Sequence, residues 1–107
     1  HGSFDAIFAM SVFCRWPDAF HCEDCESLYS FLEFETDIKL LDCHLKPGGL
    51  LAIYNSMFRF TDSKLSENYT PIMVDDQAES GFVTKFSSQN RRLRNQEYSF
   101  TVFLKDE

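Results

Sequence analysis

Basic residues are scarce in this chain. Ten Lys and Arg stand against seventeen Asp and Glu, a net charge of −7 over 107 residues. That balance argues against general binding to nucleic acid or an anionic membrane, which needs clustered cations. Long apolar runs are missing too. No stretch approaches the roughly 18 residues that a membrane span requires, and no signal peptide is visible. There is no Ser-His-Asp context and no phosphate-binding loop, so hydrolase and kinase chemistry find no support. Internal repeats and low-complexity runs are absent as well. Four Cys without a secretory signal point to free thiols in a reducing compartment, and so to a soluble cytoplasmic protein.

What is present is apolar and aromatic. The chain is 44% hydrophobic and 16% aromatic, with twelve Phe, which excludes disorder and bounds residues 1–107 as a single domain. The run Phe4–Phe13 is apolar on both faces, as in a central parallel strand covered on two sides. It begins at once after His1-Gly2-Ser3, which reads equally as a natural turn or a tag remnant, and this abrupt start is expected of a fragment. Residues 14–29 are polar and irregular with a short helix. Ser30 and Glu33 have capping-box spacing. Behind them Phe31, Phe34, Ile38, Leu41 and Leu45 form one helical stripe. Lys46-Pro47-Gly48-Gly49 ends that helix, and Leu50–Tyr54 reads as a buried strand.

The stretch from Asn55 to Gly81 is rich in Ser, Asp and Asn and is expected to be a long functional loop or an abbreviated crossover. Beyond it, Phe82–Phe86 and Tyr98–Leu104 alternate and are predicted to form an antiparallel pair across the polar segment 87–97. Strand, helix, Leu-Lys-Pro-Gly-Gly turn and strand, followed by that pair, resembles the C-terminal half of a class I S-adenosylmethionine-dependent methyltransferase. The resemblance covers nearly the whole chain. It implies an α/β fold, a partial Rossmann-like sheet whose strands stand for the family's fourth, fifth, sixth and seventh. Their spatial order is then fourth, fifth, seventh, sixth.

Ligands of open α/β sheets bind beyond the carboxyl ends of the strands. By resemblance, Ala9, Met10 and Ser11 lie against S-adenosyl-L-methionine, and Cys14, Arg15, Trp16, Asn55 and Ser56 face the methyl acceptor. Arg15-Trp16-Pro17 pairs a guanidinium with an aromatic face and is the best candidate for substrate contact; a solvated Arg15 beside a packed Trp16 is the plainer alternative. Ala9-Met10-Ser11-Val12 replaces the Asn/Asp-Pro-Pro-aromatic signature of amino-group methyltransferases, which makes an exocyclic base amine a less fitting acceptor. The glycine-rich cofactor loop of the family is missing. The adjacent glycines Gly48-Gly49 follow a helix and open a strand, the reverse of what such a loop requires. The chain alone is therefore expected not to methylate anything, and a non-catalytic interaction module is the alternative.

Other constellations are weaker. Cys22-Glu-Asp-Cys25 with His21, Cys43 and His44 lacks a second well-spaced ligand pair, so no metal site is assigned. Arg91, Arg92 and Arg94 form a basic turn, and Asp75, Asp76 and Glu79 a solvated acidic loop. The open edge of the strand over residues 4–13, or one sheet face, is expected to drive self-association into a homo-oligomer.

Overall fold

A computed structural model describes residues 2–15, 18–74, 84–93 and 100–107. Among the described residues four strands and one α-helix make a small α/β domain: β1 (Phe4–Met10), α1 (Phe31–His44), β2 (Leu45–Tyr54), β3 (Tyr69–Val74) and β4 (Phe100–Lys105). The mixed sheet has the order β1-β2-β4-β3. β1 and β2 run parallel, joined by α1, and β4 is antiparallel to both β2 and β3. Among the described residues no helix is long and apolar enough to cross a membrane.

The helix forms where its sequence signals place it. Ser30 Oγ accepts from Glu33 N–H at 3.1 Å while Glu33 Oε2 accepts from Ser30 N–H at 2.8 Å, closing the capping box. A second cap arrives from far along the chain: Asn90 Oδ1 accepts from Phe31 N–H at 2.6 Å, satisfying a further first-turn donor. The predicted stripe is buried at Phe31, Phe34 and Ile38, continues to buried Leu45, and is partly buried at Leu41. At the other end Asp42 makes three contacts with two side chains. Tyr69 Oη donates to its carboxylate at 2.6 Å, and Lys105 Nζ sits 3.1 Å from it and donates to its carbonyl at 2.8 Å.

Lys46-Pro47-Gly48-Gly49, expected as a turn between helix and strand, lies inside β2, which starts at Leu45 directly after α1. It forms an irregularity in the parallel ladder, with Phe4 opposite Leu45 but Ala6 already opposite Leu50. Gly48 takes φ 83°, and a Cβ on Gly49 would lie 2.7 Å from Leu45 Cδ1 and 2.9 Å from the Asp5 carbonyl oxygen. Each glycine thus has its own reason to be there.

Side chains of one sheet face are covered. Phe13 meets Phe34 edge-on at 5.2 Å, and Phe34 and Phe31 each pack 5.4 Å from Phe58. Phe58 reaches Phe86 at 6.3 Å, and Phe60 lies 4.6 Å from Phe103 on β4. Rings on α1, β4 and the loops thereby share one core. The opposite face is bare: Phe4, Phe8 and Met10 are 55%, 69% and 62% exposed, and Leu50, Met73 and Leu104 are exposed beside them.

Three expectations are corrected. The first strand ends at Met10 rather than Phe13, because Ser11 turns into left-handed backbone at φ 62°. It is also covered on one face only. A strand, β3, occupies part of the stretch expected to be loop; Pro71 within it disguises it, and proline is tolerated there because β3 is an edge strand with a register irregularity beside Pro71. The strand expected at Phe82–Phe86 is not one over its described part. Thr84 and Lys85 have no ladder, and Phe86 makes only isolated bridges to Phe58 and Arg92. Residues 81–83 and 94–99 lie outside the described residues. So the antiparallel partners of β4 are β2 and β3.

Candidate functional site

The carboxyl ends of the parallel pair β1 and β2 lie side by side, and each ends in the same unusual way. Ser11 and Asn55, the residues immediately after them, both adopt positive φ, 62° and 57°. Non-glycine residues in that region store of order 1–3 kcal/mol each and concentrate at functional sites. Ser11 N–H donates to the Tyr54 carbonyl at 2.9 Å, extending the ladder by one bond. Asn55 Nδ2 donates to Ser11 Oγ at 3.0 Å, which locks the two strand ends together. Asn55 Oδ1 is buried without a partner, an acceptor left unspent at the rim.

The other predicted residues divide. Ala9 is buried under the helix side and Met10 points to the bare face. Cys14 Sγ donates to the Ser11 carbonyl at 3.3 Å, tying the turn that follows β1. Arg15 donates through Nη1 to the Cys14 carbonyl at 2.9 Å and stacks its guanidinium 4.1 Å from the Tyr29 ring centroid. Ser56 is buried and turned inward. Its hydroxyl donates to the Phe58 carbonyl at 2.6 Å and accepts from Phe58 N–H at 3.2 Å, while its carbonyl accepts from Lys85 Nζ at 2.6 Å. The structure thus gathers Ser11, Cys14, Arg15 and Asn55 at one rim and spends Ser56 on the fold. Trp16 lies outside the described residues.

Beside the rim, a cavity of about 360 Å³ opens between the Arg15 turn and α1, lined by Arg15, Leu28, Tyr29, Leu32, Glu33 and Asp37. Tyr29 Oη donates to Asp37 Oδ2 at 2.5 Å. Burial and that carboxylate both push the Tyr29 hydroxyl above its ordinary range. Sequence inspection did not single out Tyr29 or Asp37. The available signal was modest: Glu33 and Asp37 stand four residues apart, and so on one helix face, just behind the cap.

The described cysteines and arginines of the two clusters make contacts within the fold or lie exposed. Burial, with Asp24 adding to it, pushes the Cys25 thiol up to about 12, Cys22 Sγ donates to the Asp18 carbonyl at 3.4 Å, and Cys43 is exposed on α1. Among the described residues no three His, Cys, Asp or Glu side chains are placed to hold one ion. Arg91 and Arg92 pair with Asp24 at 3.5 Å and Glu23 at 3.8 Å, pinning the Cys22–Cys25 segment. Arg94 and the acids Asp75, Asp76 and Glu79 lie outside the described residues.

No family model matches the chain, and no curated protein or solved structure matches it.

Proposed function

We propose that this chain is the acceptor-side, C-terminal half of a class I S-adenosylmethionine-dependent methyltransferase domain. The observation that carries the proposal is the strand order β1-β2-β4-β3 with its polarities. A parallel pair joined by a helix, then a last strand inserted antiparallel between the second and third, is the order implied for the family's fourth, fifth, seventh and sixth strands, with β3 at Tyr69–Val74 standing in the place expected of Phe82–Phe86. Support at the rim comes from Ser11 and Asn55, which sit in left-handed backbone at the carboxyl ends of the parallel pair, where such sheets take their ligands.

The residues fit S-adenosyl-L-methionine in part. Ser11 lies at the rim, whereas Ala9 is buried in the β1–β2 ladder and Met10 turns to the opposite face. Asn55 Oδ1 beside them is a buried acceptor without a partner. The adenosine half is not accommodated. Residues 11–30, between β1 and α1, contain no glycine. Gly48-Gly49 lie at the far, amino-terminal end of β2, with the space over Gly49 filled by Leu45 and Asp5. The chain by itself accordingly carries out no methyl transfer, and its contribution is to position an acceptor.

The test is the coding sequence upstream of His1, followed by S-adenosylhomocysteine binding to the longer product. A strand leading into a Gly-x-Gly turn, with measurable affinity of the longer product, is the expected result. A native gene with no such strand overturns the reading. It would favour the second one, a self-associating interaction module, for which the bare face of Phe4, Phe8 and Met10 speaks.

A further inference from the structure

Arg15, Glu33 and Asp37 line one cavity without neutralising one another. Among the described residues Arg15 makes no ion pair; its contacts are the Cys14 carbonyl and the Tyr29 ring. Glu33 commits one oxygen to the Ser30 N–H, and Asp37 commits one to the Tyr29 hydroxyl. Tyr29 is the spacer. Its ring carries the guanidinium on its face and its hydroxyl holds the carboxylate at its far end, so the opposite charges stay apart across about 360 Å³ of space. Charges that share a cavity ordinarily close onto each other, because each gains a charge-assisted hydrogen bond by doing so. Holding them apart leaves guanidinium N–H groups beyond the one bonded to Cys14, and a second oxygen on each of two carboxylates four residues apart. Leu28 and Leu32 complete the wall, and Leu32 is 72% exposed.

We propose that this cavity binds a small zwitterion of the α-amino-acid type, its carboxylate on Arg15, its ammonium on Asp37 and Glu33, and an apolar side chain against Leu28 and Leu32. Arg suits a carboxylate because its fork matches both oxygens. The paired acids on one helix face repel each other until a cation sits between them. This deepens the acceptor-side reading of the rim and rests on it, by naming the class of molecule held beside the rim.

L-Leucine is the probe, titrated into the isotopically labelled chain without any methyl donor, with the amides of Leu28, Leu32 and Thr36 as reporters. Isoamylamine lacks the carboxylate, and 4-methylpentanoate lacks the ammonium. Saturable shifts with leucine are expected, and each half-ligand should bind about tenfold or more weakly, the worth of one charge-assisted bond. Arg15→Gln should erase the preference for leucine over isoamylamine, and Asp37→Asn or Glu33→Gln should weaken its preference over 4-methylpentanoate. Circular dichroism checks that each variant is folded. Absent shifts at millimolar leucine, or equal binding of isoamylamine, overturns the assignment. A gene without the upstream glycine turn would instead remove the transferase reading while leaving leucine binding measurable, so the two failures are distinct.

Discussion

Thr101 is fully buried on β4, and its hydroxyl has no hydrogen-bond partner. A buried hydroxyl without a partner costs of order 1–3 kcal/mol relative to a satisfied one, and valine has nearly the same shape. Thr101→Val is therefore expected to raise unfolding stability by about 1 kcal/mol, read as a higher urea midpoint at unchanged slope. Cys25 makes the opposite statement about pH. Its thiol is raised from 9.0 to about 12, so the folded state keeps a proton that the unfolded chain has released. Below about pH 9 this contribution is fully present. Above it, stability is lost as pH rises toward 12, by up to about 1.4 kcal/mol per unit. Tyr29 and Tyr69, both shifted upward by burial and their Asp partners, add in the same direction. Urea unfolding at about pH 8 and about pH 10 checks it, and a flat profile would contradict the burial of these groups.

Among the elements, α1 was legible because local signals and tertiary packing agree. The cap, the stripe and the proline-glycine stop all point to one helix. β2 was legible only from Leu50 onward: Leu45–Gly49 read as helix end and turn, yet these residues belong to the strand, and the roles of its two glycines can be separated. Gly49→Ala places a methyl against Leu45 and the Asp5 carbonyl and should cost about 2 kcal/mol by overpacking. Gly48→Ala meets only ordinary van der Waals contacts, with Glu107 Cγ nearest at 3.7 Å. It should cost only the backbone strain of φ 83°, about 1 kcal/mol. Equal denaturant midpoints for the two variants would show that steric crowding is not what selects Gly49. β3 was hidden because Pro71 interrupts the run and Ile72 and Met73 are exposed, so alternation gave no clean face. Phe86 misled in the converse way. It is fully buried as the reading required, but against Phe58 in the core, without a ladder around it. The rim at Ser11 and Asn55 followed from strand ends alone. Tyr29 and Asp37 did not, since their pairing depends on how the chain just before α1 folds back over it, which no periodicity encodes.

At the scale of the whole molecule, the uncovered face and the β1 edge are one continuous surface. Ser11 N–H points toward β2, and a parallel ladder alternates, so Ala9 and Ile7 point the same way. The N–H and C=O groups of Phe4, Ala6, Phe8 and Met10 then face the open edge, while their side chains lie on the bare face. β1 carries no lysine or proline to blunt that edge. Two copies can meet there about a two-fold axis at Ile7, with Phe4 opposite Met10 and Ala6 opposite Phe8. Every outward group is then paired, and the exposed aromatic rings join across the seam. We expect light scattering to report a dimer or larger species at micromolar concentration. Ala6→Pro should shift it toward monomer, because that substitution removes an outward N–H and leaves the β1–β2 ladder intact. A clean monomer for the unmodified chain, or an assembly indifferent to Ala6→Pro, would rule out the edge as the seam. The second outcome would leave the bare face of Phe4, Phe8 and Met10 as the surface that associates, and Phe8→Lys would then be the substitution that dissolves it.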